Sequence, residues 1–224
     1  MGTGSAGTGA ASALPFQDIG REQKRRFILK AAAAAFGAKG YHAVTIRDIV
    51  GRAGIAHGTF YLYFEGKDDV YRVLSQDLHA QIMEAILPGG RAGAREGADV
   101  GALVHERLAA LARLFEREED IARVFLHRAP GSDPDLEEQS RRFTRDMIEA
   151  IAAVLRAGAE RGVFRRHDPQ VAALCLVGAI DRVIESWLHA SEAGAGPSLP
   201  ELMEEAAGFF VAALLTDESG PQPA

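Results

Sequence analysis

Apolar residues recur along this chain with the three- and four-residue spacing of amphipathic helices. Between Thr45 and Gly54 they lie at i, i+3, i+4 and i+7, on one helical face: Ile46, Ile49, Val50 and Ala53. The same periodicity predicts further helices over residues 18–39, 67–87, 98–117, 119–128, 135–161, 168–192 and 200–215. No segment alternates convincingly between apolar and polar residues, so the chain is predicted to be all-α with about nine helices.

Two short helical segments meet at Gly54. This glycine ends the first segment where a sharp turn favours a residue without a Cβ. The second segment, over residues 56–64, places Phe60 and Phe64 on one face, while its other positions are polar or tyrosine. Two short helices joined in this way are typical of a helix-turn-helix whose second helix enters the major groove of DNA.

Charge is distributed unevenly along the chain. The net charge of the 224 residues is −6, yet residues 1–64 contain eight basic and three acidic residues, a balance of +5. The other 160 residues therefore carry −11. A basic amino end on an acidic body is the pattern of a small nucleic-acid-binding module joined to a different one, although an ordinary solvated surface is the alternative.

Composition and motifs argue against several other classes of protein. No apolar run approaches the roughly 20 residues that span a bilayer, and the amino end has neither the charged nor the apolar region typical of a signal peptide, so a cytoplasmic protein is expected. The single cysteine, Cys175, is interpreted as a small buried apolar residue. The seven histidines form no i, i+4 metal pair and catalytic motifs are missing, so we expect no enzyme, metal site or cofactor.

The stretch ILKAAAAAFGAKGYHAVTIRDIVGRAGIAHGTFYLYFEGKDDVYRVL resembles the amino-terminal signature of the TetR family of bacterial transcriptional repressors. The matching elements are F-x-x-x-G-Y, T-I-R-D-I-V, A-G-I, G-T-F-Y-x-Y-F and K-x-D-V, and the resemblance is strongest over residues 22–75. It implies a three-helix helix-turn-helix DNA-binding domain over 18–66 and a larger helical ligand-binding and dimerisation domain over 67–217. Disordered tails are expected over 1–17 and 218–224.

The resemblance assigns DNA contacts to eight residues of the motif: Thr45, Arg47, His57, Gly58, Thr59, Tyr61, Tyr63 and Lys67. Thr45 would cap the first motif helix and touch a phosphate, and the tyrosines would position the second helix on the backbone. The alternatives are a cap alone for Thr45, a surface arginine for Arg47 and a core position for either tyrosine.

Three positions of the motif carry arguments of their own. Gly58 is a poor helix former, which suggests that DNA approaches the backbone there. Lys67 opens a helix, where a cation is disfavoured unless it meets a phosphate. Ala56 stands where the family commonly has a serine cap, so the second motif helix is expected to fray without DNA.

The last two helices are expected to form the interface of a homodimer, because one helix-turn-helix makes too few contacts for tight sequence-specific binding. By resemblance they would pair with their copies in a four-helix bundle; a role in the intrachain core is the alternative. The candidate interface residues are Val171, Leu174, Cys175, Gly178, Arg182, Phe209, Phe210 and Ala213.

The resemblance further implies a small-molecule inducer inside the helical body. Bulky aromatics with a few polar groups favour an apolar or amphipathic molecule, and plain core residues are the alternative. The candidate ligand contacts are Phe115, Phe125, His127, Phe143, Met147 and Trp187. Asp181 and Arg182 are interpreted as an ion pair on one helix face rather than as an inducer anchor.

The function expected from this sequence is that of a ligand-responsive repressor that binds a palindromic operator of double-stranded DNA as a homodimer. An inducer would release it by favouring a conformation with wrongly spaced recognition helices. The alternatives are an activator, a helical enzyme with an unrecognised site, and an interaction or architectural module that has lost sequence-specific DNA binding.

Overall fold

A computed structural model of the chain describes residues 20–88, 99–126, 134–192, 194 and 196–215. These residues form nine helices and one isolated β-bridge, so the prediction of an all-α fold is confirmed. The helices are α1 Arg21–Lys39, α2 Ile46–Ala53, α3 His57–Phe60, α4 Lys67–Ile86, α5 Val100–Arg117, α6 Glu119–Leu126, α7 Pro134–Glu160, α8 Pro169–Glu192 and α9 Leu199–Leu214. The tails predicted over 1–17 and 218–224 lie outside the described residues.

Local capping chemistry sets both ends of α2. The Thr45 hydroxyl accepts a hydrogen bond from the Asp48 amide, and the Asp48 carboxylate accepts one from the Thr45 amide at 2.9 Å. This reciprocal pair satisfies two of the unpaired amides of the first turn. Gly54 ends the helix with φ at +63°, a left-handed conformation that favours glycine.

The second motif helix, α3, is shorter than the segment predicted over 56–64. It spans one turn, His57–Phe60, and residues 61–63 continue as a turn. Ala56 offers no side-chain cap and Gly58 has low helix propensity, so nothing local extends the helix. Phe60 and Phe64 are both buried, as their shared face predicts.

The amino-terminal domain, α1–α3, is docked on the helical body, α4–α9, through a close crossing of α1 and α6. A Cβ built on Gly37 would lie 2.8 Å from the Asp120 carboxylate and 3.0 Å from the Asp120 Cα. A side chain at position 37 would therefore push the two helices apart. One hydrophobic core continues from Ile28 and Phe36 through α4 to Phe210 of α9.

The body is built around α5, which packs on α4 and α9, and around the pair α7 and α8. Asp168 caps α8, since its carboxylate accepts hydrogen bonds from the amides of Gln170 and Val171 at 2.8 and 3.1 Å. The interpretation of Cys175 as a buried residue is wrong, because its position on α8 is exposed. Among the described helices, none combines the length and the hydropathy that crossing a membrane requires.

Candidate nucleic-acid interface and ligand cavity

The outer face of the motif presents most of the predicted DNA contacts together. Arg47, His57 and Gly58 are exposed, and the Tyr61 side chain is 51% exposed beside the His57 ring. Thr59 is half-buried. Leu62, which the sequence analysis did not single out, is 69% exposed in the turn after α3. An exposed leucine in a motif otherwise polar on its outer face suits contact with a thymine methyl group.

Within the part of the chain that the structure describes, Gly58 has no structural reason to be glycine. Apart from its chain neighbours and the backbone of its own helix, no described atom lies within 4 Å of the position that its Cβ would occupy, and its φ is not positive. An alanine would therefore fit the folded chain and favour the helix. A steric requirement for glycine at this position would come from a molecule that approaches α3 from outside.

The amino end of α2 is held by an ion pair with α1. The Lys39 ammonium donates a hydrogen bond to the Asp48 carboxylate, and this contact, followed by the hydrogen bonds from Thr45, holds the pKa of Asp48 well below its usual range. The Thr45 hydroxyl also donates to Asp48 at 2.6 Å. The predicted capping role of Thr45 is thus present, while its contact with a phosphate stays a prediction.

Lys67 and Tyr63 have partners inside the chain that the sequence analysis did not anticipate. The Lys67 ammonium donates to the Tyr41 carbonyl at 3.0 Å and lies 4.4 Å from the centroid of the Tyr41 ring. The Tyr41 hydroxyl donates to Asp68. These contacts explain a cation at the start of α4 without a phosphate. Tyr63 is half-buried against the core, which leaves Tyr61 as the more exposed tyrosine.

Restoring a side-chain cap to α3 is expected to stabilise the protein. Ala56 is exposed and makes no side-chain cap hydrogen bond, so a serine fits there and can accept one from an amide of the first turn. We expect Ala56→Ser to raise the free energy of unfolding by about 0.5–2 kcal/mol. Urea unfolding measures this gain, and an unchanged midpoint would show that α3 is already fixed by the burial of Phe60.

A cavity of about 1040 Å³ lies in the helical body, between α4, α5, α7, α8 and α9. Its lining is mostly apolar and includes three of the predicted ligand contacts: Phe115, Phe143 and Met147. Trp187 does not line it, because its side chain is buried in the core on another side of α8. Phe125 belongs to α6, and His127 lies outside the described residues.

Polar side chains that the sequence analysis missed also line the cavity: His79, Arg107, Ser140, Thr144, Arg161 and Asp181. The ion pair of Asp181 with Arg182 stays a prediction; Arg182 pairs with Glu185 at 2.7 Å, and Asp181 lines the cavity. Neighbours at i and i+1 project from different sides of a helix, so Asp181 faces the cavity and Arg182 faces outward. The sequence contained one signal that Arg107 faces the cavity. It lies on the same side of α5 as the apolar residues Val104, Leu108 and Leu111.

His79 of α4 stacks on Phe143 of α7, with ring centroids 3.6 Å apart and planes within 3°. Burial lowers the pKa of His79 from 6.5 to about 4, because the imidazolium form loses its solvation. The ring is therefore neutral at physiological pH. It adds little charge to the cavity wall, whose lining also includes Leu78 and Phe115.

This lowered pKa predicts a pH dependence of stability. The unfolded chain binds a proton at His79 below about pH 6.5 and the folded chain does so only near pH 4, so stability is lost as the pH falls through this interval. We expect the wild type to lose more unfolding free energy between pH 7 and 5 than His79→Gln. NMR titration of the ring should give a pKa near 4; a value near 6.5 would contradict this.

Most of the predicted dimer residues form an exposed face on the isolated chain. Val171, Leu174 and Phe209 are 57%, 58% and 70% exposed. Cys175, Gly178, Arg182 and Ala213 are exposed as well. Phe210 departs from the prediction, because its side chain is 7% exposed and lines the cavity. Here the α8–α9 face denotes Val171, Leu174, Cys175, Gly178, Phe209 and Ala213.

Two family models match the chain. The model for bacterial regulatory proteins of the tetR family matches residues 28–74, which span the helix-turn-helix and its flanking helices. The model for the tetracyclin repressor-like C-terminal domain matches residues 101–191, which run from α5 to α8. The first match covers most of the amino-terminal domain, and the second covers helices α5 to α8, which supply most of the described cavity lining.

Individual proteins agree with these matches. The chain is 25% identical over 167 residues to the uncharacterized HTH-type transcriptional regulator YdgC of Bacillus subtilis (strain 168), covering 74% of this chain and 82% of that protein. The fold of the present chain matches that of the fatty acid degradation regulator FadR from Bacillus halodurans with a TM-score of 0.70 and 21% identity; the match covers 87% of this chain and 96% of that one. The fold also matches that of FadR from Bacillus subtilis, solved in complex with stearoyl-CoA, with a TM-score of 0.67 and 20% identity; this match covers 84% of this chain and 97% of that one.

Proposed function

Because this chain belongs to the TetR family of bacterial regulatory proteins, we propose that it represses transcription by binding a palindromic operator as a homodimer. The observation that carries the proposal is the exposed outer face of the motif. There Arg47, His57, Gly58 and Tyr61 are available to DNA, while Phe60 fixes the same segment to the core. A rigid support behind a polar outer face is what base and backbone recognition requires.

The exposed α8–α9 face supports the proposed homodimer. Its large apolar side chains, Leu174 and Phe209 among them, are more than half exposed on the isolated chain. Clustered apolar exposure on a folded domain marks an interaction surface. Pairing with a second copy across a two-fold axis would place two motifs on one side of the assembly, as an inverted repeat in the DNA requires.

The cavity would hold an inducer with a large apolar part. Its walls consist mainly of aliphatic and aromatic side chains, and a protein of the same fold binds stearoyl-CoA. Helix α4 connects the two functions, since Lys67 at its start contacts the amino-terminal domain and Leu78, His79 and Ile82 line the cavity. To lower operator affinity 100-fold, the inducer must favour the released conformation by about 2.7 kcal/mol.

The salt dependence of DNA binding tests the DNA-binding part of this proposal. Each phosphate contact contributes about −0.9 to the slope of log K against log salt concentration. If Arg47 meets a phosphate in both half-sites, Arg47→Ala should flatten that slope by about 1.8. Arg113→Ala, at an exposed position of α5, serves as the matched control and should leave it unchanged. Equal slopes for the wild type and both variants would contradict the assignment of Arg47 to a phosphate. A wild type that does not bind DNA would contradict the proposal as a whole.

A further inference from the structure

Leu62 is the apolar exception on the outer face of the motif. It lies in the turn directly after α3, and 69% of its side chain is exposed. Of the other described large apolar side chains of the motif, Tyr61 alone is exposed to a similar degree, and its phenol has a polar tip. Leucine has no side-chain group that water or a phosphate can bind, so it gains free energy from an apolar partner that removes it from water.

Backbone hydrogen bonds decide which side of the turn Leu62 occupies. Its amide donates to the Thr59 carbonyl at 3.3 Å, and the next amide, that of Tyr63, donates to the Phe60 carbonyl at 3.0 Å. Bonds between residues three apart are those of a 3₁₀ turn, in which side chains three apart lie on the same side. Phe60 and Tyr63 accordingly share the side that packs on the core. Leu62 shares a different side with Thr59, which is one of the predicted DNA contacts.

The core holds this turn in place from behind. Phe60 and Phe64, which bracket the turn, are 0% and 2% exposed, and their ring centroids lie 5.8 Å apart. The Arg25 guanidinium of α1 lies 5.3 Å from the centroid of the Phe64 ring and joins the same support. Because both phenylalanines are fixed, the backbone at Leu62 loses little conformational entropy when a partner covers the side chain.

We propose that Leu62 contacts the C5-methyl group of a thymine and thereby selects thymine at one position in each half-site of the operator. The base edges in the major groove are polar apart from this methyl group, and cytosine has only a hydrogen in its place. Burial of one methyl group contributes about fourfold in affinity at each half-site. The inference rests on the proposed function, because it takes the outer face of the motif as the surface that enters the major groove.

Replacing thymine by deoxyuridine, which lacks only the methyl group, tests this contact. In the duplex that the wild type enriches from random DNA, each thymine is replaced together with its counterpart in the other half-site, and anisotropy titrations measure affinity. At one symmetric pair of positions the replacement should weaken binding of the wild type about 15-fold. For Leu62→Ala the same replacement should change affinity by less than about twofold.

Two controls separate the contact from an effect on folding. Leu62→Met keeps an apolar side chain of similar volume and should respond to deoxyuridine as the wild type does. Leu62→Ala should leave the midpoint of urea unfolding unchanged, because the side chain that it shortens is exposed.

Two results would overturn the inference and leave the proposed function standing. One is a specific duplex in which no thymine methyl group contributes to binding. The other is a methyl effect of equal size in the wild type and Leu62→Ala, which would assign the effect to DNA shape or to another residue. A wild type that binds no duplex specifically would contradict the proposed function itself, and the inference with it.

Discussion

Phe209→Glu is expected to convert the protein to a monomer and to lower its affinity for an operator duplex at least 100-fold. Phe209 is 70% exposed on α9, within the proposed dimer interface. Each buried phenylalanine contributes about 1.5–3 kcal/mol, and the substitution removes one from each subunit. It also brings two carboxylates into an apolar contact, which costs several kcal/mol more. A monomer reads one half-site and loses the gain of 10²–10⁴ that linked binding provides.

Sedimentation equilibrium measures the subunit state, and fluorescence anisotropy on the duplex that the wild type enriches from random DNA measures affinity. The thermal midpoint of the separated monomer checks that the chain still folds, as an exposed substitution should allow. Arg113→Glu introduces the same side chain at an exposed position outside the α8–α9 face and should remain dimeric. A Phe209→Glu protein that stays dimeric would place the interface elsewhere.

Gly58→Ala is expected to raise the stability of the protein and to lower its affinity for DNA. Among the described residues beyond its own turn, the added methyl group meets no atom within 4 Å, and alanine is the better helix former, so the free energy of unfolding should rise by about 0.5–1 kcal/mol. Operator affinity should fall about 10- to 100-fold, because the methyl group displaces α3 from close contact and breaks hydrogen bonds to charged phosphates.

The matched control is Gly51→Ala on α2, which is also exposed and has no described side chain or distant backbone within 4 Å of its Cβ position. It should give the same gain in stability with unchanged operator affinity. Urea unfolding and anisotropy titrations on the same preparations measure both quantities. Full operator affinity of Gly58→Ala would mean that DNA does not approach the backbone at this residue.

Features governed by near neighbours in sequence were predictable. The capping of α2 by Thr45 and of α8 by Asp168 depends on residues two or three positions away. Gly54 and Gly162 end their helices with positive φ, as glycine permits. The family signature added the helix-turn-helix, and the periodicity of apolar residues located the remaining helices to within a few residues.

Features that depend on packing between distant segments were not predictable in the same way. Lys67 contacts Tyr41, 26 residues earlier in the chain, and this contact explains its charge without DNA. Trp187, predicted to contact the ligand, is a core residue, and Phe210, predicted to lie in the dimer interface, lines the cavity. Both assignments failed because periodicity gives the faces of a helix but not their neighbours. Arg107 and His79 were missed for the same reason, since polar residues on amphipathic helices usually face solvent.

Selection from random duplex DNA tests the central claim most directly. The wild type and a Thr59→Ala/Tyr61→Ala double variant are selected in parallel, since both substitutions fall on the outer side of the motif and leave buried Phe60 in place. The wild type should enrich an inverted repeat with half-sites about one helical turn apart or a multiple of it, and the variant should not. Enrichment of no sequence by the wild type, or of the same repeat by both proteins, would contradict a DNA-reading role for this face.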